Sequence, residues 1–305
     1  MKALRLAGRN GRLLFVAGLV LGLALPGLAE ALRPYLAVFV TASLFTVALR
    51  IPARAALGLR ADLHRTLGLV LLFQLAMPMA AIAALALAGL SDTTLALAAV
   101  LMLAGSPIAG TPSITLFLGH DPAPALRQLV AGTALLPLTV LPVLWAVPAL
   151  GSAAEVAAAA ARLAAVIAGA VAAAFLLQSR LVDPDRAESR EALDGLTALI
   201  LTGLIIGLMS ALGPALRAEP GTVALWLAVA VTLNLGVQIG VKLLSDARGP
   251  RPDSPAAAVA AGNRNIALFI VALPEEVIAP ALVFIGCYQI PMYLTPLLMR
   301  RFYAR

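Results

Sequence analysis

No aspartate or glutamate lies near the centre of any apolar stretch of this chain, and only 12% of its residues are charged. General acid-base chemistry and proton coupling inside a membrane therefore have no carboxylate to carry them. Cysteine is nearly absent: Cys287 stands alone, which excludes an internal disulfide framework and any multi-cysteine metal centre. The two histidines, His64 and His120, fall in polar connections and have no metal or catalytic partner there. A His-Glu-x-x-His run, a phosphate-cradling glycine loop and a Gly-x-Ser-x-Gly elbow are all missing, as is any connection long enough for a soluble domain. An intramembrane hydrolase needs a nucleophile with a base, and a guanidinium does not give up its proton. The reading is a non-enzymatic chain with no catalytic residue and no metal site.

What the chain has in abundance is apolar surface: 62% hydrophobic residues and a mean hydropathy of +0.99 over 305 residues. That composition belongs to a polytopic, all-α membrane protein whose first partner is the lipid bilayer. The net charge of +7 raises nucleic acid as a partner, but the basic residues are dispersed among short connections without interleaved aromatics, so none is expected. A window of about 19 residues gives ten apolar segments, beginning near residues 13, 32, 66, 93, 125, 156, 193, 221, 255 and 277. Breaker signals mark the connections at Arg50–Arg54, Gly119–Pro122, Val182–Arg186 and Arg248–Asp253. Of 22 Lys and Arg residues, 18 fall on one side of this alternation, while Arg33, Arg162 and Arg217 fall on the other and Arg264 lies within a segment. The positive-inside rule then puts both termini in the cytoplasm of a multi-pass protein of the cell (inner) membrane. A competing reading takes Leu13–Leu25 and the small residues around Ala29–Ala31 as a signal peptide, which leaves nine spans. The charge alternation is satisfied without cleavage.

Polar residues interrupt two of these segments. Gly262-Asn263-Arg264-Asn265 breaks the apolar run between Ala256 and Leu273, with Arg264 about 12 Å from either end at roughly 1.5 Å per residue. A charge at that depth costs roughly 2.5–3.5 kcal/mol on insertion scales, so it is expected to face a bundle interior or a water-filled cavity. The fourth segment carries Gly105-Ser106-Pro107 and Gly110-Thr111-Pro112-Ser113. Fourth and ninth are equivalent members of two five-helix halves, about 13–148 and 156–302. Because five is odd, a duplication gives inverted repeats, and matching interrupted segments point to a midplane binding site. Third and eighth segments match through Gln74 and through Asn234 with Gln238. The plainer alternatives are proline kinks, interhelical hydrogen bonds and small-residue packing, the last foremost over Ala157–Ala174.

Several of these motifs resemble the bile acid:sodium symporter family. Gly262-Asn263-Arg264-Asn265-Ile266-Ala267-Leu268 is similar to that family's Gly-x-Gln-Asn-x-x-Leu, and Gln74-Leu75-Ala76-Met77-Pro78 to its Gln followed by Met-Pro. Ser106-Pro107 with Gly110, Thr111 and Ser113 resembles its Cys-Pro-Gly-Gly-Thr-Ala-Ser-Asn crossover, and Thr133 through Pro137 the start of its fifth helix. The resemblance covers essentially the whole chain. It implies ten helices in two inverted repeats, a panel and a core domain, and broken helices 4 and 9 crossing near a substrate. It also implies candidate substrate or ion contacts at Gln74, Thr111, Ser113, Thr133, Gly262, Asn263, Arg264 and Asn265. The departures matter as much. Where the family carries a glutamate this chain has Ala260, where it carries Gln this chain has Arg264, and its Ser-Asn becomes Pro112-Ser113. Losing a carboxylate and gaining a fixed positive charge opposes binding of sodium. The expectation is a secondary transporter of a small organic anion, independent of sodium, with Arg264 in place of a family cation. Sodium-coupled symport through Gln74, Ser113, Thr133, Asn263 and Asn265 is the alternative, as is a non-transporting receptor or sensor. An arsenite or auxin-type efflux carrier is a further transporter reading, the arsenite version lacking a cysteine in the fourth segment. The oligomeric state is not fixed by the sequence.

Overall fold

The computed structural model describes residues 2–51, 62–147, 150–178, 186–249 and 251–304. The breaker signals at residues 52–54, 182–185 and 250 lie outside them, as do Arg60, Arg180 and Arg305 of the charge count. Among the described residues all regular structure is helical, with one isolated antiparallel bridge between Pro107 and Arg264. The helices are α1 (Lys2–Arg9), α2 (Gly11–Ala24), α3 (Pro26–Arg50), α4 (Leu63–Leu87), α5 (Thr94–Ala104), α6 (Thr111–Phe117), α7 (Ala123–Trp145), α8 (Ala153–Gln178), α9 (Ala187–Ala218), α10 (Pro220–Ala247), α11 (Ser254–Gly262), α12 (Leu268–Ala272), α13 (Glu275–Leu298) and α14 (Arg300–Tyr303).

Seven of these, α3, α4, α7, α8, α9, α10 and α13, are long and apolar enough to cross a bilayer. An eighth span results if α1 and α2, bent by 86°, act as one. The chain is thus an all-α, multi-pass membrane protein. The ninth expected segment falls short because its polar break divides it into helices of 9 and 5 residues. The fourth likewise divides into 11 and 7 residues around Gly105–Gly110.

The chain forms two compact units. The first comprises Met1–Arg60 with Ala165–Val223. Here α1, α2 and α3 lie along α9, brought close by glycines, as packing without a hydrophobic driving force requires. A Cβ on Gly22 would come within 2.6 Å of Met209, and one on Gly195 would overlap the carbonyl of Leu4. The first turns of α9 carry three acids that meet three arginines: Glu188 with Arg5 at 2.7 Å, Glu191 with Arg9 at 3.4 Å, and Asp194 with Arg50 at 2.7 Å. The N-terminal segment, the end of α3 and the start of α9 therefore share one end of this unit, as the charge alternation expects.

The second unit comprises Ala61–Ala164 with Ala224–Arg305 and contains both broken segments. Two of its long helices each contain one π turn, Leu72–Ala76 in α4 and Thr232–Gly236 in α10. In α4 the turn is followed by Pro78, which has no N–H to return to the carbonyl of Gln74, and the wider turn absorbs that loss. Gln74 and Asn234 sit at the centres of the two turns, each fully buried. Arg65 pairs with Asp253 at 2.5 Å and Arg127 with Asp62 at 3.4 Å, gathering the starts of α4, α7 and α11 at one end of this unit.

Candidate functional site

Where α5 ends and where α11 ends, the chain leaves the helix and the two extended pieces cross. Ile108 N–H donates to Asn263 O at 3.0 Å and Asn265 N–H to Ser106 O at 2.7 Å, flanking the Pro107–Arg264 bridge. Local sequence dictates the break. Pro107 cannot supply a helical N–H, Gly105 approaches so closely that a Cβ would lie 3.2 Å from the Asn265 carbonyl, and Asn263 caps its own helix by donating Nδ2 to Val259 O at 3.0 Å. Backbone groups freed in the membrane need partners inside the protein, and the crossing gives each segment the other.

Arg264 occupies the junction. It is 1% exposed. Its guanidinium donates from Nη2 to Leu103 O at 2.9 Å and from Nη1 to Ala260 O at 3.3 Å, and lies 5.9 Å from the centre of the Phe73 ring. Leu103 is in the last turn of α5 and Ala260 in the last turn of α11. A helix C-terminus carries about half a negative charge, so two converging ends offset roughly one positive charge. The arginine is therefore held by helix ends, with no carboxylate pairing to it among the described residues. Its Nε is buried without a partner. Its backbone N–H donates to the Tyr288 hydroxyl at 2.9 Å, and that hydroxyl donates in turn to the carbonyl of Gly262. The Tyr288 ring is fixed by Phe284 at 5.8 Å, which meets Trp226 edge-on at 5.7 Å.

The residues expected from sequence divide by exposure. Gly262, Asn263, Arg264, Gln74 and Thr111 are buried. Gly262 O accepts from Asn234 Nδ2 at 2.7 Å, and Asn263 Oδ1 accepts from Thr295 Oγ1 at 3.1 Å. Gln74 Oε1 accepts from Thr139 Oγ1 at 2.8 Å, while Gln74 Nε2 and Thr111 Oγ1 are buried without partners. Thr133, Asn265 and Ser113 are half-buried. Thr133 donates to Ser106 Oγ at 3.3 Å, whereas the Asn265 and Ser113 side chains have no hydrogen-bond partner among the described residues. Gly262, Asn263 and Arg264 brace the crossover through these bonds, while Thr133, Asn265 and Ser113 are half-exposed beside it.

Tyr288, Thr295, Thr139 and Ser106 were not among the expected site residues. Ser106 belongs to the interrupted fourth segment, while Tyr288, Thr295 and Thr139 lie in apolar or proline-kinked stretches where a lone hydroxyl gives no signal. A spacing does exist in hindsight. Thr139 and Thr295 sit between prolines five apart, Pro137 with Pro142 and Pro291 with Pro296, and each bonds the polar residue of a π turn: Thr139 to Gln74, and Thr295 to Asn234 at 3.3 Å. No protein-family model matches this chain, and no curated protein matches it.

Proposed function

We propose that this chain is a secondary transporter of a small organic anion that works by alternating access without a sodium ion. The observation that carries the reading is the Arg264 guanidinium between the C-terminal ends of two broken helices. That is the position in which a metal cation would be expected to draw carbonyls together, and here the cation is part of the chain. The paired features of the two halves support the inverted-repeat architecture on which the reading rests: a break in α5–α6 and in α11–α12, a π turn in α4 and in α10, and a threonine bonded to each π turn. They also fit the resemblance to the bile acid:sodium symporter family; ten spans, and cytoplasmic termini by the positive-inside rule, belong to the same proposal. Bracing the crossover is the role that the burial of Arg264 favours; Asn265, Thr133 and Ser113 are the better placed to meet an anion's polar atoms.

One observation favours the sodium-coupled alternative. Thr111 Oγ1 is a buried oxygen without a partner, and with Ser113 and Thr133 it is the type of ligand sodium takes. The experiment is uptake of labelled carboxylates and sulfonates into proteoliposomes, under a sodium gradient and with choline in its place. Equal uptake in both supports the proposal. Uptake only with sodium replaces it by symport, and saturable binding without uptake replaces it by a receptor.

A further inference from the structure

The polar network does not end at the crossover. Asn263 Oδ1 accepts from Thr295 at 3.1 Å and from Asn234 Nδ2 at 3.3 Å, and Asn234 Oδ1 accepts from Gln238 Nε2 at 3.0 Å. Gln238 Oε1 accepts in turn from the hydroxyl of Tyr303, at 3.2 Å. Asn263, Asn234, Gln238 and Thr295 are 0% exposed and Tyr303 is 1% exposed. His120 packs edge-on against the Tyr303 ring at 6.2 Å, and its Nε2 lies 3.1 Å from the carbonyl of Tyr303. A carbonyl only accepts, so Nε2 carries the proton of that bond. The short last helix is thus held by its ring from within and by its backbone from the turn after α6.

Direction makes the chain of bonds more than packing. A primary amide presents a donor end and an acceptor end, and which way it faces is set by its neighbours. The Gly262 carbonyl only accepts, so Asn234 turns Nδ2 toward it and Oδ1 toward Gln238. Gln238 then turns Nε2 toward Asn234 and Oε1 toward Tyr303, whose hydroxyl donates and closes the chain. We propose that Tyr303 is a positioning residue for the crossover: its hydroxyl is the closing donor of the two amides that hold the Gly262 carbonyl and the Asn263 side chain, and so ties the conformation of the break to the docking of α14.

The test is Tyr303→Phe in the full chain in lipid nanodiscs, a change that keeps the ring and its volume. Two rates are read: backbone hydrogen exchange over residues 262–268, and alkylation of Cys287, the single cysteine of the chain, buried beside Tyr288. Losing this bond leaves Gln238 Oε1 buried without its donor and raises both by about fivefold to tenfold, while the melting temperature falls by no more than about 3 °C. His120→Ala, which loosens α14 from outside, accelerates the same segment. Arg301→Ala, on the exposed part of α14, leaves both rates at the wild-type value. Tyr303→Phe combined with Gln238→Met raises the rates less than the product of the two single effects, because both remove one bond. Both rates are read without substrate, so their outcome is independent of the transport reading. Unchanged rates in Tyr303→Phe, equal acceleration in Arg301→Ala, or independent effects in the double variant each overturn the proposal.

Discussion

Replacing Arg264 by glutamine takes away a buried cation and the two bonds it makes to Leu103 O and Ala260 O. Hydrogen bonds from a charged donor contribute about 1.5–3 kcal/mol each, so roughly 3–6 kcal/mol is lost. Against this, the variant no longer carries a central charge, which returns roughly 2.5–3.5 kcal/mol. The balance at mid-range is a destabilisation of about 1.5 kcal/mol, or a melting temperature lower by roughly 3–6 °C. The assay is thermal unfolding of purified protein in 100 mM sodium chloride and in 100 mM choline chloride, for wild type, Arg264→Gln, and Arg264→Gln with Ala260→Glu. Wild type is expected to melt at one temperature in both salts. The double variant places a carboxylate and an amide at the crossover and is expected to gain a sodium dependence. With a dissociation constant of about 10 mM, sodium at about 100 mM stabilises by RT ln 11, or ~1.4 kcal/mol. Sodium stabilisation of that size in wild type, or an Arg264→Gln protein as stable and as active as wild type, refutes the substitution of guanidinium for metal.

Three further substitutions probe packing within the two units. Gly262→Ala would overlap the Asn234 backbone oxygen and Gln238 Cγ, and is expected to destabilise by about 2 kcal/mol or more, seen as a lower yield of monodisperse protein and a lower melting temperature. Thr139→Val leaves both ends of the buried Gln74 amide unpartnered and should cost about 1–3 kcal/mol. Adding Gln74→Leu should restore most of that stability, and thermal unfolding of the pair decides it. Gly195→Ala forces the carbonyl of Leu4 away from α9, so trypsin should cut at Arg5 and Arg9 several-fold faster while the melting of the second unit stays unchanged.

Composition alone reaches the class of this protein, because 62% hydrophobic residues leave no other solvent for most of its surface. The break at Gly262–Asn265 was legible for the same reason: four non-apolar residues in an apolar run have one physical account, a segment that leaves the helix. The partner break at Gly105–Gly110 was marked by its prolines. What the sequence conceals is who satisfies whom. Tyr288, Thr295 and Tyr303 lie far along the chain from the residues they bond, and nothing local distinguishes them from residues facing lipid. The π turns were invisible too, since Leu72–Ala76 and Thr232–Gly236 differ from ordinary helix by a hydrogen-bond shift and not by composition. The ten apolar segments of the sequence are matched by seven long apolar helices, because the two broken segments leave only shorter helices on either side of their breaks and the first falls in the bent pair of α1 and α2.

A cation bonded to the chain has no concentration and therefore no chemical potential to spend. In the proposed cycle Arg264 stays between its helix ends whichever way the protein faces, and nothing but the anion itself is carried. A carrier of that kind only brings its cargo to electrochemical equilibrium. For a monovalent anion across an inside-negative potential of about 100 mV, the driving force is roughly 2.3 kcal/mol toward the outside, which corresponds to about fiftyfold depletion of the interior. Under that proposal a guanidinium in place of a diffusible ion would make the protein an outlet by default, and accumulation would require a counter-anion moving the other way.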